Sequence, residues 1–152
     1  MNKRELGMNY FHQGYNCAQA VALAFKEELG IDENKATMLI SAFGGGFGRM
    51  REVCGAISGM TMVIGAKCGY TDPTDNESKM KTYAIEQELA KKFIEKNGSI
   101  ICAKLIDSSD ASSTTPIPSE RTAQYYKKRP CAEYVGDACE ILEEYLTKNG
   151  LM

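Results

Sequence analysis

The chain has 152 residues, of which 43% are hydrophobic and 25% charged, and its formal net charge is −2. These values are typical of a globular protein, here one domain spanning residues 1–152, and they give no reason to expect nucleic acid as a partner. The longest weakly polar run, residues 54–66, is shorter than the roughly 20 residues that cross a bilayer, and the N-terminus lacks the apolar region of a secretory signal. We therefore expect a cytoplasmic protein that does not insert into membranes.

The first half of the chain shows the apolar spacing of helices. A first helix is predicted over residues 5–13, and a second over 17–29 with Asn16 as its N-cap and Gly30 as its C-terminal glycine. A third runs from Asp32 or Asn34 to about Phe43. The glycine-rich loop of residues 44–48 follows.

A Gly/Ala-rich helix is predicted next, over residues 52–67. Gly55 and Gly59 lie four residues apart on one face of it, so another helix can approach closely. Because each glycine costs a helix about 1 kcal/mol relative to alanine, close packing has to compensate, and we expect this helix at the centre of the fold.

The second half is predicted to contain a long helix over residues 77–97, stopped by Gly98, and a short helix over 99–106 capped by Ser99. A polar loop over 107–120 follows, and a last helix runs from Pro130 to about residue 148. The predicted fold is all-α: a compact single-domain helical bundle of about six helices around the central Gly/Ala-rich helix.

Four of the six cysteines stand at predicted helix starts: Cys17, Cys54, Cys102 and Cys131. The free N–H groups and partial positive charge of a helix start stabilise a thiolate, which is the form that attacks electrophiles and binds metals. Cys68, at a helix end, and Cys139, in the middle of a helix, are interpreted as structural. No pair forms a C-x-x-C motif, which argues against zinc ribbons and thioredoxin-like sites. Burial of all six as small apolar residues is the alternative.

Four segments together resemble the C_GCAxxG_C_C family, for which a redox role has been proposed. They are "NCAQAV", "FGGGFGRMREVCGAISG", "GSIICAKLI" and "RPCAEYVGDACEILEEYL", and the similarity extends from about Tyr15 to Leu146. The resemblance implies a small helical protein in which the four helix-start cysteines have a redox or iron–sulfur role. Relatives usually carry an arginine after the third cysteine, where this chain has Ala103; Arg49 and Arg51 could supply the charge instead.

The glycine loop matches neither the G-x-G-x-x-G dinucleotide pattern nor the P-loop. We expect it to form a tight turn whose backbone passes close to the thiols. An anion or cofactor bound by Gly45, Gly46 and Arg49, with help from Arg51, stays open. His12 is interpreted as a surface residue, and the segment "YYKKRP" at residues 125–130 as a solvated helix end.

Three functions stay open at this stage. In the first, Cys17, Cys54, Cys102 and Cys131 converge, and they either bind an iron–sulfur cluster or cycle between dithiol and disulfide with an unknown redox partner protein. In the second, the same residues bind zinc and stabilise an interaction module. In the third, the cysteines are inert in a structural helical protein. A homodimer is compatible with each.

Overall fold

A computed structural model describes all residues, 1–152, and the chain folds almost entirely into helices, which confirms the all-α prediction. The helices are α1 (Lys3–His12), α2 (Cys17–Ala24), α3 (Lys26–Leu29), α4 (Glu33–Ile40), α5 (Gly44–Phe47), α6 (Gly55–Cys68), α7 (Asn76–Asn97), α8 (Cys102–Leu105), α9 (Ser108–Ala111), α10 (Ala123–Lys128) and α11 (Cys131–Lys148), with a 3-10 turn at Ser41–Phe43. No helix combines the length and apolar character needed to cross a membrane.

Local capping chemistry sets the start of α2. The Asn16 side chain accepts a hydrogen bond from the Gln19 N–H at 2.9 Å, and the Gln19 side chain accepts one from the Asn16 N–H at 3.1 Å. This reciprocal capping box satisfies two of the backbone donors that a helix start leaves free. The helix predicted over 17–29 is interrupted at Phe25, whose φ of −113° is not helical, and its second piece α3 ends at Gly30 in the left-handed conformation, as predicted.

The predicted bundle of about six helices around residues 52–67 is not confirmed in that form. The chain breaks into more and shorter helices, and α2 is buried more completely than the Gly/Ala-rich α6. Five small residues of α2 are wholly or almost wholly buried: Ala18, Ala20, Val21, Ala22 and Ala24. Because these side chains are short, α1, α4, α6 and α11 can all pack closely around α2.

Close packing of α2 against α6 depends on glycine. A Cβ at Gly59 would lie 2.7 Å from the Ala18 carbonyl oxygen and 2.8 Å from the Val21 Cβ. A Cβ at Gly55 would lie 3.0 Å from the Ala18 nitrogen. The predicted close approach at these two glycines is therefore confirmed.

Several predicted boundaries are wrong around the bridge between residues 53 and 101. Val53 pairs with Ile101 in an isolated antiparallel bridge, so the backbone at both residues is extended. As a result α6 begins at Gly55 rather than at residue 52, and the helix predicted over 99–106 is reduced to α8. The predicted loop over 107–120 contains α9, because the Asp107 side chain accepts a hydrogen bond from the Asp110 N–H and caps a helical turn.

Candidate thiol site

Each of the four cysteines singled out by the sequence stands at an observed helix start. Cys17, Cys102 and Cys131 are the first residues of α2, α8 and α11, and Cys54 directly precedes α6. The Asn16 cap before Cys17 and Pro130 before Cys131 are local signals, which explains why these two placements could be predicted.

The structure brings these four side chains to one cavity of about 390 Å³. Gly45, Gly46 and Arg49, predicted as binding residues, line the same cavity. Cys68 and Cys139 do not line it, as predicted for structural cysteines. His12 is exposed and also lies outside it.

The α2–α6 contact brings the helix starts at Cys17 and Cys54 close together beside the cavity. A Cβ at Gly55, the first residue of α6, would lie 3.0 Å from the Cys17 Cβ. Because Gly55 has no side chain, the start of α6 can lie directly against the start of α2. The glycine after Cys54 thus brings two helix starts, and their thiols, together.

The isolated bridge positions Cys54 and Cys102. The Cys54 N–H donates to the Ile100 carbonyl at 2.7 Å, and the Cys102 N–H donates to the Glu52 carbonyl at 2.6 Å. In an antiparallel pair centred on Val53 and Ile101, Cys54 and Cys102 are diagonal neighbours on one face. The sequence gives no signal for this contact, because a single bridge is too short to show strand alternation.

The glycine loop passes close to Cys102, as predicted. Gly46 has φ of 74°, and a Cβ there would lie 2.7 Å from both the Cys102 Cβ and the Glu52 nitrogen. Glycine is needed at this position because both the left-handed conformation and the close approach exclude other residues. The loop therefore forms one wall of the cavity.

Cys17 and Cys131 line the same cavity and shift each other's pKa in opposite directions. The pKa of Cys131 is lowered to about 7 from an ordinary 9.0, mainly by hydrogen bonding with Cys17, while the positive charges of Arg129 and Arg121 act in the same direction and burial opposes them. The same contact with Cys131, together with burial, raises the pKa of Cys17 well above its ordinary value. At pH 7 about half of the Cys131 side chains are therefore thiolates, next to a protonated Cys17.

Cys54 and Cys102 are held in the thiol form instead. Burial raises the pKa of Cys54 to about 12, although the N–H groups of Ala56 and Ile57 at the start of α6 oppose the rise. Burial also raises the pKa of Cys102, while the nearby Arg51 guanidinium acts in the opposite direction. The helix start alone thus fails to make Cys54 a thiolate, because desolvation outweighs it.

Four arginines line the cavity, and no acidic side chain does: Arg49, Arg51, Arg121 and Arg129. Burial, Arg51 and Arg129 lower the pKa of Arg49. Sequence reasoning missed Arg121 and Arg129. The segment "YYKKRP" does contain a helix end, since α10 stops at Lys128, but Tyr125 and Arg129 face the cavity.

As positioned, the thiols do not fit a metal or cluster. No group of three or more His, Cys, Asp or Glu side chains is arranged to hold a metal ion. All six cysteines are free thiols. The donors line one cavity but are not close enough together to ligate a common centre.

The fold and this site define a small helical protein with four cysteine thiols in an arginine-lined cavity. The sequence model of the C_GCAxxG_C_C family, described as "putative redox-active protein", matches residues 15–145, and the chain belongs to this family. No curated protein and no solved structure matches the chain.

Proposed function

We propose that the protein exchanges thiols with disulfides through Cys17 and Cys131, which alternate between a dithiol and a disulfide. The observation that supports this proposal is that Cys17 and Cys131 line one cavity and each shifts the pKa of the other, with Arg129 acting on Cys131. One thiolate beside one protonated thiol is the arrangement that a two-step exchange requires, because the first attacks and the second completes the reaction.

The exchange is balanced in two steps. The Cys131 thiolate attacks one sulfur of a substrate disulfide, so a Cys131–substrate bond forms, the substrate S–S bond breaks, and one substrate thiolate leaves. That thiolate takes the Cys17 proton. The Cys17 thiolate then attacks the Cys131 sulfur, forming the Cys17–Cys131 disulfide and releasing the second substrate thiolate. The substrate gains two electrons and the pair loses two; a dithiol on a redox partner restores the pair by the reverse exchange.

Partly buried Arg129 supports the attacking role of Cys131. Its Nε donates to Asp110 at 2.8 Å, which fixes the position of the guanidinium group. The positive charge of that group lowers the pKa of Cys131 and so stabilises its thiolate. The roles of Cys54 and Cys102, and the iron–sulfur or zinc centre that all four cysteines were predicted to hold, stay predictions. Since the present arrangement does not fit such a centre, no step of the exchange depends on it.

Trapping the mixed disulfide tests the proposal. Reduced protein is treated with bis(2-hydroxyethyl) disulfide, and the products are mapped by mass spectrometry. The wild type should form a Cys17–Cys131 disulfide, whereas Cys17→Ser should accumulate the reagent on Cys131. Cys131→Ser should modify Cys17 much more slowly than Cys17→Ser modifies Cys131 at neutral pH, because burial still raises the pKa of Cys17.

The matched control is Cys68→Ser, which removes a thiol outside the cavity and should react as the wild type does. The proposal is wrong if the first disulfide to form joins another pair, or if Cys17→Ser accumulates reagent on Cys54 or Cys102 instead of Cys131. Equal and slow labelling of Cys131 and Cys139 in the native fold would favour inert, structural cysteines.

A further inference from the structure

The positive charge of the cavity exceeds what the protein itself neutralises. Of the four arginines in its lining, only Arg129 has an acidic partner, Asp110. Arg121 is committed to the fold, because its two terminal nitrogens donate to the Phe11 and Tyr15 carbonyls at 3.0 Å. Arg49 and Arg51 have no acidic partner.

Arg51 is the least satisfied of these groups. Its side chain is almost fully buried, since the residue is only 4% exposed. Nε donates to the Ser113 carbonyl at 3.0 Å and Nη1 lies 3.9 Å from the Cys102 sulfur, but Nη2 is buried without a hydrogen-bond partner. A buried charged donor without a partner is costly, so the site is built for a group that the protein does not supply.

Arg49 adds a second donor on the same wall of the cavity. Its only side-chain hydrogen bond is from Nη2 to the Ser119 hydroxyl at 3.3 Å, and it is partly exposed. Arg49 and Arg51 are both in the left-handed backbone conformation, with φ of 67° and 63°, which is unfavourable for residues other than glycine. The strained turn directs two guanidinium groups to one site.

We propose that the cavity selects anionic disulfides, whose carboxylate or similar oxyanion group binds Arg51 and Arg49 while the disulfide faces Cys131. Guanidinium groups bind such anions through paired, charge-assisted hydrogen bonds. A volume of about 390 Å³ suits a small molecule rather than a peptide chain. This inference rests on the proposed thiol exchange and specifies its substrate class.

A series of three small disulfides of similar size tests the charge preference. Dithiodipropionate is anionic, bis(2-hydroxyethyl) disulfide is neutral and cystamine is cationic. The rate of Cys17–Cys131 disulfide formation should be highest for dithiodipropionate and lowest for cystamine, at constant ionic strength. Equal rates for the three reagents would overturn the inference and leave the thiol exchange standing.

Arginine variants locate the preference. Arg51→Gln should reduce the advantage of the anionic over the neutral reagent by about 10- to 100-fold, the effect of losing hydrogen bonds to a charged group. Since buried Arg51 also supports the loop, the partly exposed Arg49→Gln serves as a second variant and should reduce the advantage in the same direction. Lys127→Gln, which removes an exposed charge outside the cavity, should keep the full preference.

Anion binding by a protein that cannot exchange thiols distinguishes the anion site from the thiol exchange. The Cys17→Ser/Cys131→Ser protein cannot exchange thiols, but its melting temperature should rise with millimolar sulfate at an ionic strength held constant with chloride. The rise should be absent in the same protein carrying Arg49→Gln. Sulfate stabilisation without thiol exchange in the wild type would refute the exchange and keep the anion site, whereas no stabilisation would refute the anion site.

Discussion

Replacing Cys17 with alanine should raise the pKa of Cys131. In the native protein this pKa is about 7 against an ordinary 9.0, and the contact with Cys17 is the largest cause. Two pKa units correspond to about 2.7 kcal/mol in favour of the thiolate. Alanine removes that contact but leaves Cys131 buried, so the pKa should move towards or above the ordinary value, with Arg129 holding back only part of the rise.

The expected change in thiolate population is large, whereas the change in reactivity is smaller. At pH 7 a thiol of pKa 7 is half ionised, and one of pKa 9 about 1% ionised, a ratio of about 50. The intrinsic nucleophilicity of a thiolate also falls as its pKa falls, with a Brønsted slope of about 0.4–0.5. Over two pKa units this reduces the roughly 50-fold advantage in reactivity by about eightfold. The midpoint of a pH profile is therefore a sharper measure than the rate at one pH.

Iodoacetamide labelling of the reduced, folded protein between pH 5 and pH 10 measures the midpoint, with fragment spectra separating Cys131 from Cys139 in their shared tryptic peptide. The wild type and the Cys68→Ala control should show a Cys131 midpoint at about 7, and Cys17→Ala a midpoint at least one unit higher. A wild-type midpoint at the ordinary value, or an unchanged midpoint in Cys17→Ala, would refute the reasoning.

The remaining predictions concern packing, buried thiols and metal. Gly59→Ala should lower stability by about 1–3 kcal/mol because its Cβ would meet α2, whereas Gly65→Ala, with open space around it, should raise stability by up to about 1 kcal/mol; thermal melts should show opposite shifts. Burial raises the pKa of Cys54 to about 12 in the folded protein, so the unfolded chain ionises this thiol first and stability falls as the pH rises above about 9. Between pH 8.5 and pH 10 the free energy of unfolding, measured in urea, should therefore fall by about 1 kcal/mol less in Cys54→Ala than in the wild type. Protein purified anaerobically should contain no more iron or zinc than a variant with all four cavity cysteines changed to serine; stoichiometric metal in the wild type alone would show that the thiols rearrange around a centre.

Features with a local cause could be predicted from the sequence. The Asn16 cap and the Gly30 stop depend on residues within one helical turn, and the helix-start placement of Cys17 and Cys131 follows from neighbouring residues. The close packing at Gly55 also follows from spacing along a single helix. These signals are short in range, so one sequence is enough to contain them.

Features that depend on distant contacts could not be predicted. Cys17 and Cys131 are 114 positions apart, and nothing in their spacing distinguishes this pair from any other among the four. Arg121 donates to carbonyls of Phe11 and Tyr15, more than a hundred positions away. Residues 125–130 in isolation have the composition of a solvated helix end. Packing against α1, where the Phe11 and Tyr126 ring centroids lie 6.1 Å apart, makes this segment part of the cavity wall.

Backbone strain in the glycine loop argues that charge, rather than turn geometry, accounts for Arg49 and Arg51. The loop places glycine at 45, 46 and 48, where φ is positive, yet it also has positive φ at 49 and 51, where arginine costs of order 1–2 kcal/mol each. Glycine at 49 and 51 would relieve that strain and would leave the turn as sharp. It would also remove the guanidinium groups that lie near Cys102 and face the cavity without an acidic partner. Phe47 has a positive φ of 63° as well, but its ring packs on Phe43 with the centroids 5.4 Å apart. The charges of Arg49 and Arg51 have no acidic partner in the protein, which supports the proposed anion site.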